Sequence, residues 1–237
     1  MIVVVIPSRG RPGRAHRAVR AIRETAARVD TRVLLAVDRD DPTLDEYLAL
    51  RWDPVPYRTE TSVVVLEREA TGNLVKATNT VSMRIAEEDP TAIIGNLGDD
   101  HIAKTAGWDN AITYALPTPG VAYGDDGLQG RNLPTAPFIS AEIVLALGWY
   151  ALPTCWHMFV DNAWRDIGEQ TGTLRYVSTV EFEHEHPLVG KAEWDDGYRH
   201  ANGSEVIEHD KAAYHEWRER YMAEDLRRVR AVLPEAA

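Results

Sequence analysis

The first half of the chain alternates short apolar runs with segments of helical periodicity. The apolar runs at residues 2–6, 32–37, 63–66 and 92–94 predict buried strands. A helix is predicted after each of them, with start signals at Pro12-Gly13, at the capping-box sequence 43–46 and at Gly72-Asn73. Repeated strand–helix units predict an α/β fold, a three-layer sandwich around a mostly parallel sheet that binds ligands at the carboxyl ends of its strands.

The second half has a less regular pattern. It predicts a short strand at 121–123, a strand-to-helix step at 138–147, a helix at 161–167 closed by Gly168, and a strand at 174–183. Residues 187–209 are polar and predict a long surface loop. An amphipathic C-terminal helix is predicted at about 210–233, with five inward-facing residues: Tyr214, Trp217, Tyr221, Leu226 and Val229. Because no linker or repeat is visible, we expect one domain over residues 1–237.

Composition narrows the class of protein. The 237 residues are 44% hydrophobic and 27% charged, which excludes a disordered chain. The single cysteine, Cys155, cannot form an intrachain disulfide and favours a reducing compartment. The sequence shows neither a leader nor an apolar run near the roughly 18 residues of a membrane span, so we expect a soluble, cytoplasmic protein without membrane contact.

The charge is unevenly distributed along the chain. The net charge is −11, yet residues 1–37 carry eight arginines against Glu24 and Asp30, a local charge of +6. The overall negative charge disfavours binding of a nucleic acid across the surface.

Two adjacent carboxylates follow the fourth predicted strand. Asp99 and Asp100 would repel each other at a strand end, and a divalent cation would relieve that repulsion. Oxygen ligands suit Mg²⁺ or Mn²⁺, and an added imidazole favours Mn²⁺. Alternatively, one of the two carboxylates only caps the turn.

A histidine pair lies at the end of the last predicted strand. Alternation places His184 and His186 on one face, so both or only one of them could bind the same ion. The alternative is an exposed polar strand end.

Arginines follow the first predicted strand, where free helix N–H groups favour a phosphate. Arg9, Arg11 and Arg14 are the candidates, whereas the arginines at 17, 20 and 23 fit a solvated helix face. Asp38 ends the second strand and could accept hydrogen bonds from a nucleobase or ribose, or simply form a turn. Asp161 could serve as a general base or as a helix N-cap.

The order of these features resembles the GT-A fold glycosyltransferases, in particular the small phage and bacterial members of the cellulose-synthase-like family. The resemblance covers residues 1 to about 190. It rests on Pro7-Ser8-Arg9 after the first strand, on Asp38 after the second, on the Gly72–Asn79 segment, on Gly98-Asp99-Asp100 in place of a strict DxD motif, and on His186-Pro187.

The resemblance implies a metal-dependent transfer of a sugar from a nucleoside diphosphate, most often UDP, to an acceptor hydroxyl on a modified DNA base, a protein or a glycan. The implied donor contacts are Pro7, Ser8, Arg9, Arg11, Asp38, Asn73, Lys76 and Asp99. The implied ligands of Mn²⁺ or Mg²⁺ are Asp100 and His186, with His184 as a rival, and Asp161 is the implied base.

The same resemblance divides the chain into a nucleotide-binding half at 1–101, an acceptor and metal-completing half at 102–190, and a loop and helix at 191–237. For a phage-encoded enzyme it implies the host cytoplasm. Three other functions remain open: a nucleotidyltransferase acting on a nucleoside triphosphate and a sugar phosphate, a metal-dependent hydrolase, and a non-catalytic nucleotide-sugar-binding protein.

Overall fold

A computed structural model describes residues 1–52, 59–67 and 73–234. The strands in these ranges are β1 (Ile2–Pro7), β2 (Thr31–Asp38), β3 (Glu60–Leu66), β4 (Ile93–Asn96), β5 (His101–Ala103), β6 (Val121–Asp125), β7 (Phe138–Ser140) and β8 (Leu174–His184). The α-helices are α1 (Pro12–Thr25), α2 (Leu44–Ala49), α3 (Leu74–Glu88), α4 (Trp108–Ala115), α5 (Ala141–Leu147), α6 (Val160–Thr171), α7 (Asp196–Ala201), α8 (Ser204–Arg220) and α9 (Met222–Val232). Gly72, predicted at the start of the third helix, lies outside the described residues.

The strands form one mixed sheet in the order β3-β2-β1-β4-β7-β6-β8-β5. The first four strands of the chain are parallel, as predicted. The expectation of a mostly parallel sheet is wrong for the second half, because β7 runs antiparallel to β4 and β6, and β5 runs antiparallel to β8. β5, which we did not predict, follows β4 after a short turn instead of a crossover helix. Without a crossover helix, the apolar pattern carries no information on strand direction.

Helices cover both faces of this sheet. In β1, Val3 and Val5 face a core shared with α3, α5, α6, α8 and α9. Ile2, Val4 and Ile6 face a second core shared with α1 and α4. The apolar run at the start of the chain is therefore buried on both sides, which is why it lacks polar alternation.

The segment predicted as a long loop is partly helical. It contains a 3₁₀ turn at Pro187–Val189, α7, and the first turns of α8. Asp195 caps α7 by accepting a hydrogen bond from Tyr198 N at 2.9 Å, and Tyr198 is buried. The polar composition misled the prediction because few side chains of this segment are buried, and because two of its residues, Asp195 and Tyr198, bond with Arg11 and Asp100 far away in the sequence.

Two helices replace the single predicted C-terminal helix. They break at Tyr221, which is 53% exposed instead of facing inward. The other four predicted inward residues are buried: Tyr214, Trp217, Leu226 and Val229. Trp217 Nε1 donates to Asp225 Oδ2 at 2.8 Å across the break, which fixes the two helices relative to each other.

One predicted helix end is wrong, and one helix that begins where predicted lacks its predicted cap. α6 ends at Gly172, which has a positive φ of 70°, and not at Gly168. Gly168 lies inside the helix, where a Cβ atom would come within 2.8 Å of the Leu174 Cβ. The capping box at Thr43 does not form, because the Thr43 hydroxyl donates to Asp41 at 2.7 Å.

None of the helices in the described part of the chain combines the length and the apolarity needed to cross a bilayer.

Candidate functional site

Three predicted site segments meet at the carboxyl edge of the parallel strands. β1 lies between β2 and β4, and the ends of these three strands carry the Ser8–Arg11 loop, Asp38, and the turn with Asp99 and Asp100. Leu97 N donates to Val5 O at 3.1 Å, which draws that turn against the end of β1. Strand order therefore brings together side chains that are up to 92 positions apart in the sequence.

Asp100 lies at the centre of the site and is buried. Its Oδ1 lies 3.2 Å from His101 Nδ1, and its Oδ2 lies 3.4 Å from His184 Nε2. The Tyr198 hydroxyl donates to Oδ2 at 2.7 Å. Burial on its own would raise the pKa of Asp100, but the contacts with the two histidines hold this pKa well below its usual value. Asp100 is therefore ionised at neutral pH.

Asp100, His101 and His184 have the chemistry of a metal site. One ligand atom from each lies within 4.8 Å of the others. His101 Nε2 and His184 Nδ1 are buried and have no hydrogen-bond partner among the described residues. The nitrogens that contact Asp100 are the other two, and His101 Nδ1 also accepts a hydrogen bond from Gly98 N at 3.1 Å. Buried polar atoms without partners are costly, and a bound ion or water at the cluster would reduce that cost. Burial lowers the pKa of His101, which favours the neutral imidazole that binds metals. One carboxylate and two imidazoles fit a divalent transition ion such as Mn²⁺ better than Mg²⁺.

His186 lies beside this cluster. Its ring centroid is 5.1 Å from that of His184, and its Nδ1 accepts a hydrogen bond from Leu188 N at 3.2 Å. One nitrogen of His186 is thus used to cap the following 3₁₀ turn. The antiparallel pairing of β5 with β8 places His184 opposite His101 instead, and their rings stack at 4.2 Å.

Asp99 is buried and is not one of the three residues of this cluster. It accepts a hydrogen bond from Ser8 Oγ at 2.6 Å and contacts Arg11 Nη1 at 3.3 Å. Burial, followed by the charge of Asp100, raises the pKa of Asp99 to about 6. The Ser8 hydroxyl also lies 2.7 Å from the Tyr47 hydroxyl. Ser8 and Asp99 together hold the loop after β1 against the turn after β4.

Carboxylates already neutralise Arg9 and Arg11. Arg9 pairs with both oxygens of Asp40 at 2.8 and 3.0 Å, and its Nη1 lies 3.4 Å from Asp38 Oδ2. Arg11 pairs with Asp195 as well as with Asp99, and its guanidinium lies 4.2 Å from the centre of the Tyr198 ring. Arg9 and Arg11, which contribute to the positive charge of the amino-terminal segment, are therefore already paired with carboxylates of the same chain.

Arg14 retains more capacity to bind an anion. Its Nη1 is buried, lies 3.8 Å from Asp195 Oδ2 and makes no hydrogen bond within the described ranges. Arg14 lines a cleft together with Arg17, Lys191 and Asp100. A guanidinium group that lines a cleft beside a metal cluster is suited to bind a phosphate group.

The loop before α6 is held by one buried carboxylate. The buried Asp210 accepts hydrogen bonds from three consecutive N–H groups, those of Trp156, His157 and Met158, at 2.7–2.8 Å. Burial lowers the pKa of His157, and the charges of Asp210 and Asp100 oppose that shift. Asp210 therefore fixes the backbone of this loop.

Asp161 lies in the first turn of α6, whose N-cap is Phe159. Its Oδ1 accepts a hydrogen bond only locally, from Asn162 N at 3.0 Å. Burial raises the pKa of Asp161, while the charges of Arg165 and His184 act in the opposite direction. A raised pKa is the property that a carboxylate needs in order to act as a general base near neutral pH.

The start of α3 serves a structural purpose. Asn73 is the N-cap and accepts a hydrogen bond from Lys76 N at 2.9 Å, while the Lys76 side chain is exposed. Asn79 accepts hydrogen bonds from Tyr150 N and Ala151 N, both at 2.8 Å. Asn79 therefore fixes the segment that follows α5.

Four residues of the site were not predicted as members of it: His101, Asp195, Tyr198 and Asp210. His101 follows Asp100 directly, so the Asp-Asp-His sequence was a usable signal. Asp195 lies 184 positions from Arg11, and Tyr198 lies 98 positions from Asp100. Asp210 lies 52 to 54 positions from the N–H groups that it binds. Sequence spacing does not reveal such contacts.

No protein-family model matches the sequence, and no curated protein sequence matches it. Solved structures do match. A mannosyltransferase from Pyrobaculum calidifontis, solved with GDP-Man and Mn²⁺, superposes with a TM-score of 0.53 at 10% identity over 98% of this chain and 73% of the other. TarS residues 1–349 of S. aureus, solved with UDP-GlcNAc, superpose with a TM-score of 0.52 at 9% identity over 94% and 72%. Against another TarS structure the match covers 37% of that chain. The chain therefore has the fold of the GT-A glycosyltransferases.

Proposed function

We propose that this protein is a metal-dependent glycosyltransferase that moves a sugar from a nucleoside diphosphate, with UDP as the first candidate, to an acceptor hydroxyl. The observation that carries the proposal is the cluster of Asp100, His101 and His184, two of whose buried nitrogens have no hydrogen-bond partner among the described residues. The cluster lies at the sheet edge where α/β folds bind nucleotides. Structures of the same fold hold GDP-Man with Mn²⁺ or UDP-GlcNAc.

Asp100, His101 and His184 would hold the ion, with His186 beside them. A bound divalent ion would supply Lewis-acid neutralisation of charge on the leaving diphosphate. Arg14 would donate hydrogen bonds to the same diphosphate from the cleft wall. Arg11, held between Asp99 and Asp195, would keep the loop after β1 in place. Asp38, buried at the end of β2, would accept hydrogen bonds from the nucleoside.

Asp161 would take the proton of the acceptor hydroxyl. The acceptor oxygen then forms a bond to the anomeric carbon, and the bond from that carbon to the diphosphate oxygen breaks. Holding both substrates in line across the cleft supplies much of the rate enhancement in such a reaction. This route inverts the configuration of the anomeric carbon.

The proposal is tested by incubating the full chain with UDP- and GDP-sugars and Mn²⁺. We expect slow release of the nucleoside diphosphate without an acceptor, loss of this release with a chelator, and its recovery when Mn²⁺ is added back. Release of pyrophosphate from a nucleoside triphosphate and a sugar phosphate would instead identify a nucleotidyltransferase. A protein that neither binds nor turns over any of these nucleotides would contradict the proposal.

Replacing Arg14 with Gln is expected to weaken binding of UDP in the presence of Mn²⁺ about tenfold, because one charge-assisted hydrogen bond to phosphate contributes roughly 1.5 kcal/mol. Isothermal titration calorimetry measures this change. The matched control is Arg20→Gln on the same helix, where the arginine pairs with Glu24 at 2.7 Å. Equal UDP affinities of the two variants would show that Arg14 does not contribute to binding of the donor.

A further inference from the structure

Tyr198, on α7, contacts both parts of the site that the proposed function uses. Its hydroxyl donates to Asp100 Oδ2 at 2.7 Å, and its ring centre lies 5.1 Å from the guanidinium carbon of Arg14. The Tyr198 side chain is buried, with only 5% of the residue exposed. One buried side chain therefore contacts a carboxylate of the metal cluster and an arginine that lines the cleft.

The carboxylate of Asp100 has little room to rotate. Its Oδ2 accepts the hydrogen bond from Tyr198, while its Oδ1 lies beside Gly98, where a Cβ atom would collide with it. The nitrogens of His101 and His184 lie farther away, at 3.2 and 3.4 Å from the carboxylate. The Tyr198 hydroxyl is therefore well placed to fix the direction of the Asp100 oxygens.

Other contacts hold Tyr198 itself in place. Tyr198 N donates to Asp195 Oδ1 at 2.9 Å, and Asn202 Nδ2 donates to Tyr198 O at 2.8 Å. The ring of His186 lies 5.1 Å from the Tyr198 ring and meets it edge-on. Because the fold fixes Tyr198 through these contacts, its hydroxyl can orient Asp100, as partners of metal ligands commonly do.

Two arginines lie over the Tyr198 ring. The guanidinium carbon of Arg11 is 4.2 Å from the ring centre, and that of Arg14 is 5.1 Å from it. Arg11 bonds to Asp99 and Asp195, whereas Arg14 Nη1 makes no hydrogen bond within the described ranges. The face of an aromatic ring attracts a guanidinium group. The Tyr198 ring thus supports Arg14 where it lines the cleft.

We propose that Tyr198 is a positioning residue, which directs Asp100 toward the metal ion through its hydroxyl and holds Arg14 toward the diphosphate through its ring. This inference rests on the proposed glycosyltransferase function. Tyr198 acts through Asp100 and Arg14, without itself touching the ion or the nucleotide.

The test compares Tyr198→Phe, which removes only the hydroxyl, with Tyr198→Leu, which also removes the ring. In calorimetric titration with Mn²⁺ alone, we expect both variants to bind about tenfold more weakly than the wild type, as is usual when a metal ligand loses its hydrogen-bond partner. At saturating Mn²⁺, UDP should bind to Tyr198→Phe as to the wild type, and to Tyr198→Leu about threefold more weakly. Saturating Mn²⁺ should also restore the transfer rate of Tyr198→Phe.

The matched control is Tyr214→Phe. The Tyr214 hydroxyl donates to Asp166 Oδ2 at 2.7 Å, and Tyr214 is 4% exposed, so the bond and the burial match those of Tyr198. Both phenylalanine variants should lower the melting temperature by a similar amount in the presence of a chelator. Only Tyr198→Phe should weaken Mn²⁺ binding, which separates positioning of a ligand from a contribution to stability.

Failure of the inference differs from failure of the proposed function. Equal Mn²⁺ affinities of the wild type and Tyr198→Phe would overturn the inference, and so would equal UDP affinities of Tyr198→Phe and Tyr198→Leu. An equal loss of Mn²⁺ affinity in Tyr214→Phe would also overturn it, because the loss would then reflect stability. If the variants bind Mn²⁺ and UDP as expected but the wild type transfers no sugar, the proposed function is wrong and the positioning role of Tyr198 stands.

Discussion

Replacing Asp100 with Asn is expected to lower sugar transfer about 10³-fold, the equivalent of roughly 4 kcal/mol of transition-state stabilisation. Asn has nearly the same shape as Asp but lacks the negative charge, so it would leave His101 and His184 without their anionic partner. We expect Mn²⁺ affinity to fall in parallel, as measured by calorimetry on the same preparation. The release of nucleoside diphosphate should become insensitive to chelator.

The control for this substitution is Asp196→Asn, which removes a fully exposed carboxylate whose partner, Arg199, is also exposed. It should retain wild-type activity. An Asp100→Asn protein that binds Mn²⁺ and transfers sugar as the wild type does would contradict the assigned metal site.

Single histidine variants distinguish two sets of metal ligands. The resemblance implies Asp100 with His186, whereas the geometry favours Asp100 with His101 and His184. If His101 and His184 hold the ion, His101→Ala and His184→Ala weaken Mn²⁺ binding, whereas His186→Ala has a smaller effect. The reverse order would restore His186 as the ligand.

The sequence predicts the first half of the fold well, because each buried strand and its crossover helix have their own apolar period. It predicts the sheet edge for the same reason, since residues that follow parallel strands collect at one end. Strand direction after β4 could not be predicted in this way. The pairing of β5 with β8 places His184 opposite His101. It depends on the turn between β4 and β5 and not on the periodic pattern of apolar residues.

The carboxylate partners of the amino-terminal arginines could not be predicted from the sequence either. Arg9, Arg11 and Arg17 give the amino-terminal segment its positive charge, but their partners lie 29 to 184 positions away. Counting charges within a window treats such arginines as available to a ligand. In the folded protein these three arginines are paired with carboxylates.

Replacing Asp161 with Asn is expected to reduce transfer to an acceptor about 10³-fold, the usual contribution of a general base. Binding of UDP and Mn²⁺ should persist, since Asp161 is not part of the cluster of Asp100, His101 and His184. Because burial raises the pKa of this carboxyl, the wild-type rate should fall on acidification at a higher pH than for an ordinary aspartate, as the base becomes protonated. The pH profile of Asp161→Asn should lack that acid limb. Asp166→Asn on the same helix, which contacts Tyr214 and Arg218, should keep it. If Asp161→Asn transfers sugar within a few-fold of the wild type with an unchanged pH profile, Asp161 is not the base and only positions the sugar.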